Sequence, residues 1–232
     1  PVDESTGDRA AAMMSTSIGL ATAAVLGALF ACEERLPPPP GRRRFLWILM
    51  PGPASGMAFG PAAMGLVLSL AFLTFRAYAR GFSQGAWRGI PEWVPLAVAF
   101  GTVLLWSFFC SSFAGFLSAA LPSRPMLVRV GVVLLALTLA LFPVIHWAID
   151  GSVDENRRDR NKRVGPLTLG LSPVTSILST LDLSQGRRDF PLYAGPFPIP
   201  AAFAVFSLSG GWIFLVLARR RWARENKGAA AR

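Results

Sequence analysis

The chain has 232 residues, 53% of them hydrophobic and 16% charged, with a formal net charge of +10. A soluble domain carries about 25% charged residues. The charged side chains here are too few for a water-facing surface of this size, and they cluster between long uncharged runs. That excludes a disordered chain and a soluble globule, and leaves an all-α integral membrane protein, a polytopic bundle of transmembrane helices.

A helix needs about 20 mostly apolar residues to cross a bilayer core. Five segments meet that length, at about 10–32, 57–75, 93–121, 130–149 and 199–218. Runs this long exceed any strand, and they show no two-residue alternation. The whole chain, 1–232, reads as one transmembrane domain. It starts at Pro1 with no basic n-region, so the first apolar run does not have the usual form of a signal peptide.

The first span places Ser15, Gly19, Ala23 and Gly27 at four-residue spacing, and the third does the same with Ser107, Ser111, Gly115 and Ala119. Small residues at this spacing let two helix backbones approach closely in lipid. Two readings stay open: packing within the chain, or a seam between two chains. Pro61 and Pro143 fall inside the second and fourth spans and are expected to kink them. No span carries Asp, Glu, Lys or Arg near its centre. Proton-coupled transporters and intramembrane hydrolases use such groups, so no catalytic residue is expected and the chain reads as a non-enzyme.

Five spans put alternate connections on opposite sides. One side holds the N-terminus and the loops 76–92 and 150–198, with 11 basic and 10 acidic residues. The other holds the loop 33–56, the turn 122–129 and the C-terminus, with 12 basic and three acidic residues. Orientation follows basic residues near span ends in short loops and discounts long loops. Seven of the first side's basic residues lie in the 150–198 loop. The second side is therefore expected to be cytoplasmic, with the N-terminus outside. The net charge is then an orientation signal, and no nucleic-acid partner is implied.

The cytoplasmic loop 33–56 reads Glu33-Glu34-Arg35-Leu36, four prolines, Gly41, then Arg42-Arg43-Arg44 and an apolar run through Trp47 to Pro51. The prolines form a stiff extended spacer. The arginines suit anionic headgroups or an acidic partner surface. The segment is either a membrane-surface anchor or a docking element. In the outer loop 150–198, a mixed-charge stretch precedes a short helix expected at 172–182. Ser172 is a good N-cap and Pro173 fits the first helical position. Val174, Ile177, Leu178 and Leu181 then share one apolar face. This amphipathic helix would lie on the membrane or dip into it. Pro191, Pro196, Pro198 and Pro200 are expected to keep the rest irregular.

The two cysteines, Cys32 and Cys110, form neither a metal spacing nor a disulfide framework. The single histidine, His146, near the outer end of the fourth span, has no ligand-type neighbour at metal spacing. No metal or other cofactor is implied.

With Glu34-Arg35 followed by an apolar stretch and proline, and Ser172-Pro173-Val174-Thr175 opening a helix before the last span, the layout resembles the membrane subunit of ABC-2 type exporters. Permeases of that family have six helices, so the resemblance implies a chain lacking the first. It also implies an outer helical or re-entrant segment, often beginning Asn-Pro-Leu-Thr, and a cytoplasmic segment that couples to an ATPase. Ser172 stands where Asn is commoner, and the proline run replaces the usual Gly-Thr-Leu. The coupling loop would comprise Glu33, Glu34, Arg35, Arg42, Arg43, Arg44 and Trp47. The outer gate helix would comprise Ser172, Pro173, Val174, Thr175, Ile177, Leu178 and Leu181. The implied setting is a bacterial inner membrane. The implied partners are a separate ATP-binding subunit, since no Walker A motif is present, and a second permease copy or homologue. The alternative from composition alone is a non-catalytic structural subunit of a larger respiratory or photosynthetic membrane complex.

Overall fold

The computed structural model describes residue 15 and residues 18–29, 60–70, 73, 93–153, 164–165, 167–184 and 193–230. Two apolar helical segments come first, α1 (Ile18–Leu29) and α2 (Gly60–Leu70). They are followed by α3 (Trp93–Ala120), α4 (Pro125–Val153) and β1 (Val164–Gly165), then a 3₁₀ turn (Leu167–Leu171) and α5 (Pro173–Ser184). The chain closes with β2 (Tyr193–Ala194), β3 (Phe197–Pro198) and α6 (Ile199–Ala230). Among the described residues, three helices are long and apolar enough to cross a membrane: those within α3, α4 and α6. Of the five expected spans, the third, fourth and fifth are thus long apolar helices. The first two coincide with the shorter described pieces α1 and α2.

The helix ends follow from local chemistry. Pro122 stops α3 one residue after Leu121, because proline disfavours helical geometry in the residue before it. Pro125 opens α4, where its missing N–H is no loss. The Arg124 carbonyl accepts from the amides of Leu127 at 3.1 Å and Val128 at 3.4 Å. Helix α4 therefore starts five residues before the expected 130, with exposed Arg129 in its second turn, and extends to Val153. Helix α6 begins at the expected residue but runs on to Ala230. Its tail is rich in Arg, Ala and Glu, which favour helix wherever there is water to solvate them. Pro143 does not interrupt α4. Pro61 sits in the first described turn of α2.

Helix α3 is the centre. More than half of its membrane-length stretch is buried, against less than a quarter for α4 and α6. Helices α3 and α6 run parallel, in step along their length. Trp106 meets Phe203 (ring centroids 6.4 Å), Phe109 meets Phe206 (5.1 Å) and Phe113 meets Phe214 (4.9 Å). At the far end Arg221 Nη2 donates to the Ala120 carbonyl at 3.3 Å, capping the C-terminus of α3. Gly210 and Gly211 make this closeness possible. A Cβ on Gly210 would stand 2.8 Å from the Phe109 ring, and one on Gly211 would overlap the Phe108 ring.

The stretch 191–198 is not irregular throughout. Val164 pairs parallel with Tyr193, and β2 pairs antiparallel with β3 across a two-residue turn. Gly195, at φ 61°, supplies the left-handed conformation the turn needs, and its N–H donates to the Gly165 carbonyl at 3.0 Å. Pro198 is tolerated as the last residue of an edge strand, and Pro200 lies in the first turn of α6.

The two small-residue stripes part ways. Ser107, Ser111, Gly115 and Ala119 are buried, and a Cβ on Gly60 would lie 2.8 Å from Ser111 Oγ. That stripe is a seam within the chain, between α3 and α2. On α1 the buried face is Ala21, Ala24 and Ala28, whereas Ser15, Gly19, Ala23 and Gly27 are exposed.

The contrast gives a test. Gly211→Ala forces Phe108 aside and is expected to destabilise the fold by about 1–3 kcal/mol, the usual cost of overpacking. Gly19→Ala meets open space and should be neutral or stabilising. Thermal unfolding of the two purified variants in one detergent checks the order.

Candidate functional site

Helix α5 lies at the end of the bundle where α3 and α6 begin and α4 finishes. Ser172 caps it, as the sequence implies: the Thr175 amide donates to Ser172 Oγ at 3.5 Å. The same hydroxyl reaches across to α4 and donates to the Ala140 carbonyl at 3.1 Å. That carbonyl is the neighbour of Leu139's, which Pro143 leaves without its helical donor. The N-cap therefore ties α5 to the weakened turn of α4.

Thr175 Oγ1 sits between two carbonyls, those of Leu169 and of Ser172 (2.9 Å), and so ties the 3₁₀ turn to α5. Thr102 Oγ1 donates to the Val98 carbonyl at 2.8 Å, which commits its one proton. Ser176 Oγ, 3.0 Å away, must therefore be the donor between them. Ser179 and Thr180 turn back onto the Ser176 carbonyl at 3.1 and 2.8 Å. Every one of these hydroxyl residues is buried.

This geometry corrects the expectation of an amphipathic helix lying on the membrane surface. The apolar side behaves as expected: Ile177 is fully buried in the core that also holds Trp106 and Phe203, and Val174 and Leu178 are half-buried. The other side is not solvated, because Thr175, Ser176, Ser179 and Thr180 are covered too. Helix α5 packs against α3, α4 and α6 together. Thr102 lies nine residues into α3, about 14 Å along its axis at 1.5 Å per residue. The helix is thus wedged into the bundle to roughly half the depth of a bilayer core.

The Thr102–Ser176 contact was not foreseen from the sequence. A signal did exist. A surface helix presents charged residues to water, while the polar positions of 172–180 are all Ser or Thr, side chains that a protein interior can satisfy locally. Ser107, Ser112 and Ser207, by contrast, are buried in α3 and α6 without a hydrogen-bond partner.

Leu181 belongs to α5. Glu33, Glu34, Arg35, Arg42, Arg43, Arg44 and Trp47 lie outside the described residues, as does Cys32. Cys110 is buried in α3 as a free thiol. His146 is exposed on α4, its ring 6.4 Å from that of Phe142. No group of three or more metal-binding side chains occurs among the described residues.

Three long apolar helices around a buried axis, closed at one end by a hydroxyl-lined wedge, define a helical integral membrane protein. Comparison with protein-family models, curated proteins and solved structures finds no match.

A double-mutant cycle measures the wedge. Thr102→Val strips Ser176 of its acceptor and Ser176→Ala removes the donor. Each is expected to cost about 1 kcal/mol. Their coupling should fall near the 0.6 kcal/mol average for hydrogen bonds between membrane helices, up to about 1.7. Unfolding in mixed micelles would read it, and zero coupling would mean that the contact is not formed.

Proposed function

We propose that the chain is the membrane-spanning permease subunit of an ATP-driven, ABC-2 type exporter. On this reading it sits in a bacterial inner membrane with its N-terminus outside and its C-terminus in the cytoplasm. It works with a separate ATP-binding subunit and a second permease copy or homologue.

The observation that supports this most is α5. An exporter needs a closure at its outer mouth that holds against leakage yet opens on each cycle. A short capped helix, inserted directly before the last span and held to α3 and α4 by single hydroxyl contacts, has suitable strength. Each such bond contributes on the order of 1 kcal/mol, so a partner's conformational energy can break a few at once. A buried ion pair would cost several kcal/mol to separate. ATP binding and hydrolysis in the partner would act through the 33–56 loop, rock the bundle, and free α5 from Thr102 and Ala140.

A second reading, a structural subunit of a larger membrane complex, is favoured by one feature. The stripe Ser15, Gly19, Ala23 and Gly27 faces away from the chain's own core and would suit a neighbouring helix.

Affinity purification of the full chain from its native membrane separates the two. An ATP-binding subunit in the eluate is expected; redox subunits in its place would sink the exporter reading. With that partner present, Glu34→Gln or Arg35→Gln should abolish transport while ATP hydrolysis and co-purification persist. Normal transport in both variants would remove the coupling role from this loop.

A further inference from the structure

At the end of the bundle opposite α5, the turn 121–124 brings arginines together. Arg221 Nη2 holds the Ala120 carbonyl. Four residues on from Ala120, the Arg124 amide folds back onto the Leu121 carbonyl at 3.1 Å. Arg124 is exposed beside that lock. On α6, Leu217, Arg220, Arg221 and Arg224 fall within one arc of about 100°. Arg220 and Arg224 are exposed, one on either side of Arg221 along the helix. The patch therefore gathers guanidinium groups from two chain segments around one helix terminus.

What lies next to it decides what it fits. Along the helices from these arginines the exposed side chains are large and apolar: Met126 and Leu127 on α4, Val216 and Leu217 on α6. An acidic protein surface would have no use for such a wall. A phospholipid has use for both parts, since its acyl chains lie along apolar side chains while its phosphate accepts from guanidinium forks. We propose that Arg124, Arg220 and Arg224 form a binding site for the phosphate of an anionic phospholipid. The lipid's chains would rest on Met126, Leu127 and Leu217, and it would brace the α3–α4 turn against α6. Arg221 is left to its carbonyl.

The test uses the full chain in nanodiscs of phosphatidylcholine with about one-third phosphatidylglycerol, the anionic component that basic residues at a membrane surface attract. Retained lipid is counted by native mass spectrometry. The wild-type chain is expected to retain phosphatidylglycerol over phosphatidylcholine. Arg124→Gln with Arg224→Gln should cut that preference by about 25-fold, roughly fivefold for each arginine, and both substitutions leave the Arg221 cap in place. Arg219→Gln removes an equal charge from the same helix, about 140° round from Arg224, and should change the preference little.

If Arg219→Gln matches Arg224→Gln, the attraction is diffuse charge and no site exists. An undiminished preference in the double variant overturns the proposal outright. Displacement of the lipid by inorganic phosphate would show that the apolar wall contributes nothing, against the proposal. Retention of polyglutamate without phosphatidylglycerol would assign the patch to an acidic protein partner instead. Circular dichroism of each variant separates lost binding from lost fold.

Discussion

The fold depends on how closely α6 can lie against α3. In a bilayer the hydrophobic effect does not push helices together, because lipid tails are as apolar as leucine. Attraction must come from contact, and contact requires close approach. Gly210 and Gly211 provide it by leaving room for the Phe109 and Phe108 rings. Phe109 in turn stacks on Trp106 at 5.8 Å, and Phe214 meets Phe109, Phe113 and Phe116. Aromatic pairs of this kind contribute about 0.5–1.5 kcal/mol each beyond the area they cover. A ladder of them fixes register as well as distance, since a slip of one residue would turn every ring off its partner.

With α3 and α6 locked in parallel, the connection between α4 and α6 has to be made at the end where α6 begins. The chain fills that end with the 3₁₀ turn, α5 and a small sheet. Gly170 lies against Ala202 and Ala194, where a Cβ would come within 2.7 and 3.2 Å of their methyl groups, and Leu169, Ala194 and Ile199 form a small second core. Helix α5 then enters a space bounded by α3, α4 and α6. Backbone ends and side-chain hydroxyls buried there cannot turn to water, so they must find protein partners. The pairing of Ser172, Thr175 and Ser176 with carbonyls and with Thr102 follows from that requirement.

Much of this was legible in the chain. The ends of α3, the start of α6, the Ser172 cap and the Ile177 face follow from proline positions, capping chemistry and 3.6-residue spacing, all of them local rules. Reading spans by hydropathy alone ended α6 at 218 and began α4 at 130, because hydropathy marks where lipid stops and helices continue into water. What burial did to 172–184 was not legible. A polar face made of Ser and Thr looks the same in sequence whether it meets headgroups or another helix. The two small-residue stripes are equivalent as spacing, yet one is covered by α2 and the other is exposed. Only long-range packing distinguishes them.

The two ends of the α3–α6 seam differ in kind. At one end Arg221 puts a full charge on the negative end of the α3 dipole, an interaction reinforced by its position in the last helical turn. At the other, neutral hydroxyls hold α5 by bonds that exchange readily among nearby carbonyls, as Thr175 does between those of Leu169 and Ser172. Membrane-spanning helices carrying bulky aromatic rungs cannot slide past one another in small steps, because interdigitated side chains have few packings of similar energy. Any large rearrangement of this bundle is therefore cheapest where the rungs end and the hydroxyls begin. The capped end acts as the pivot, and the α5 end is the part of the structure able to move.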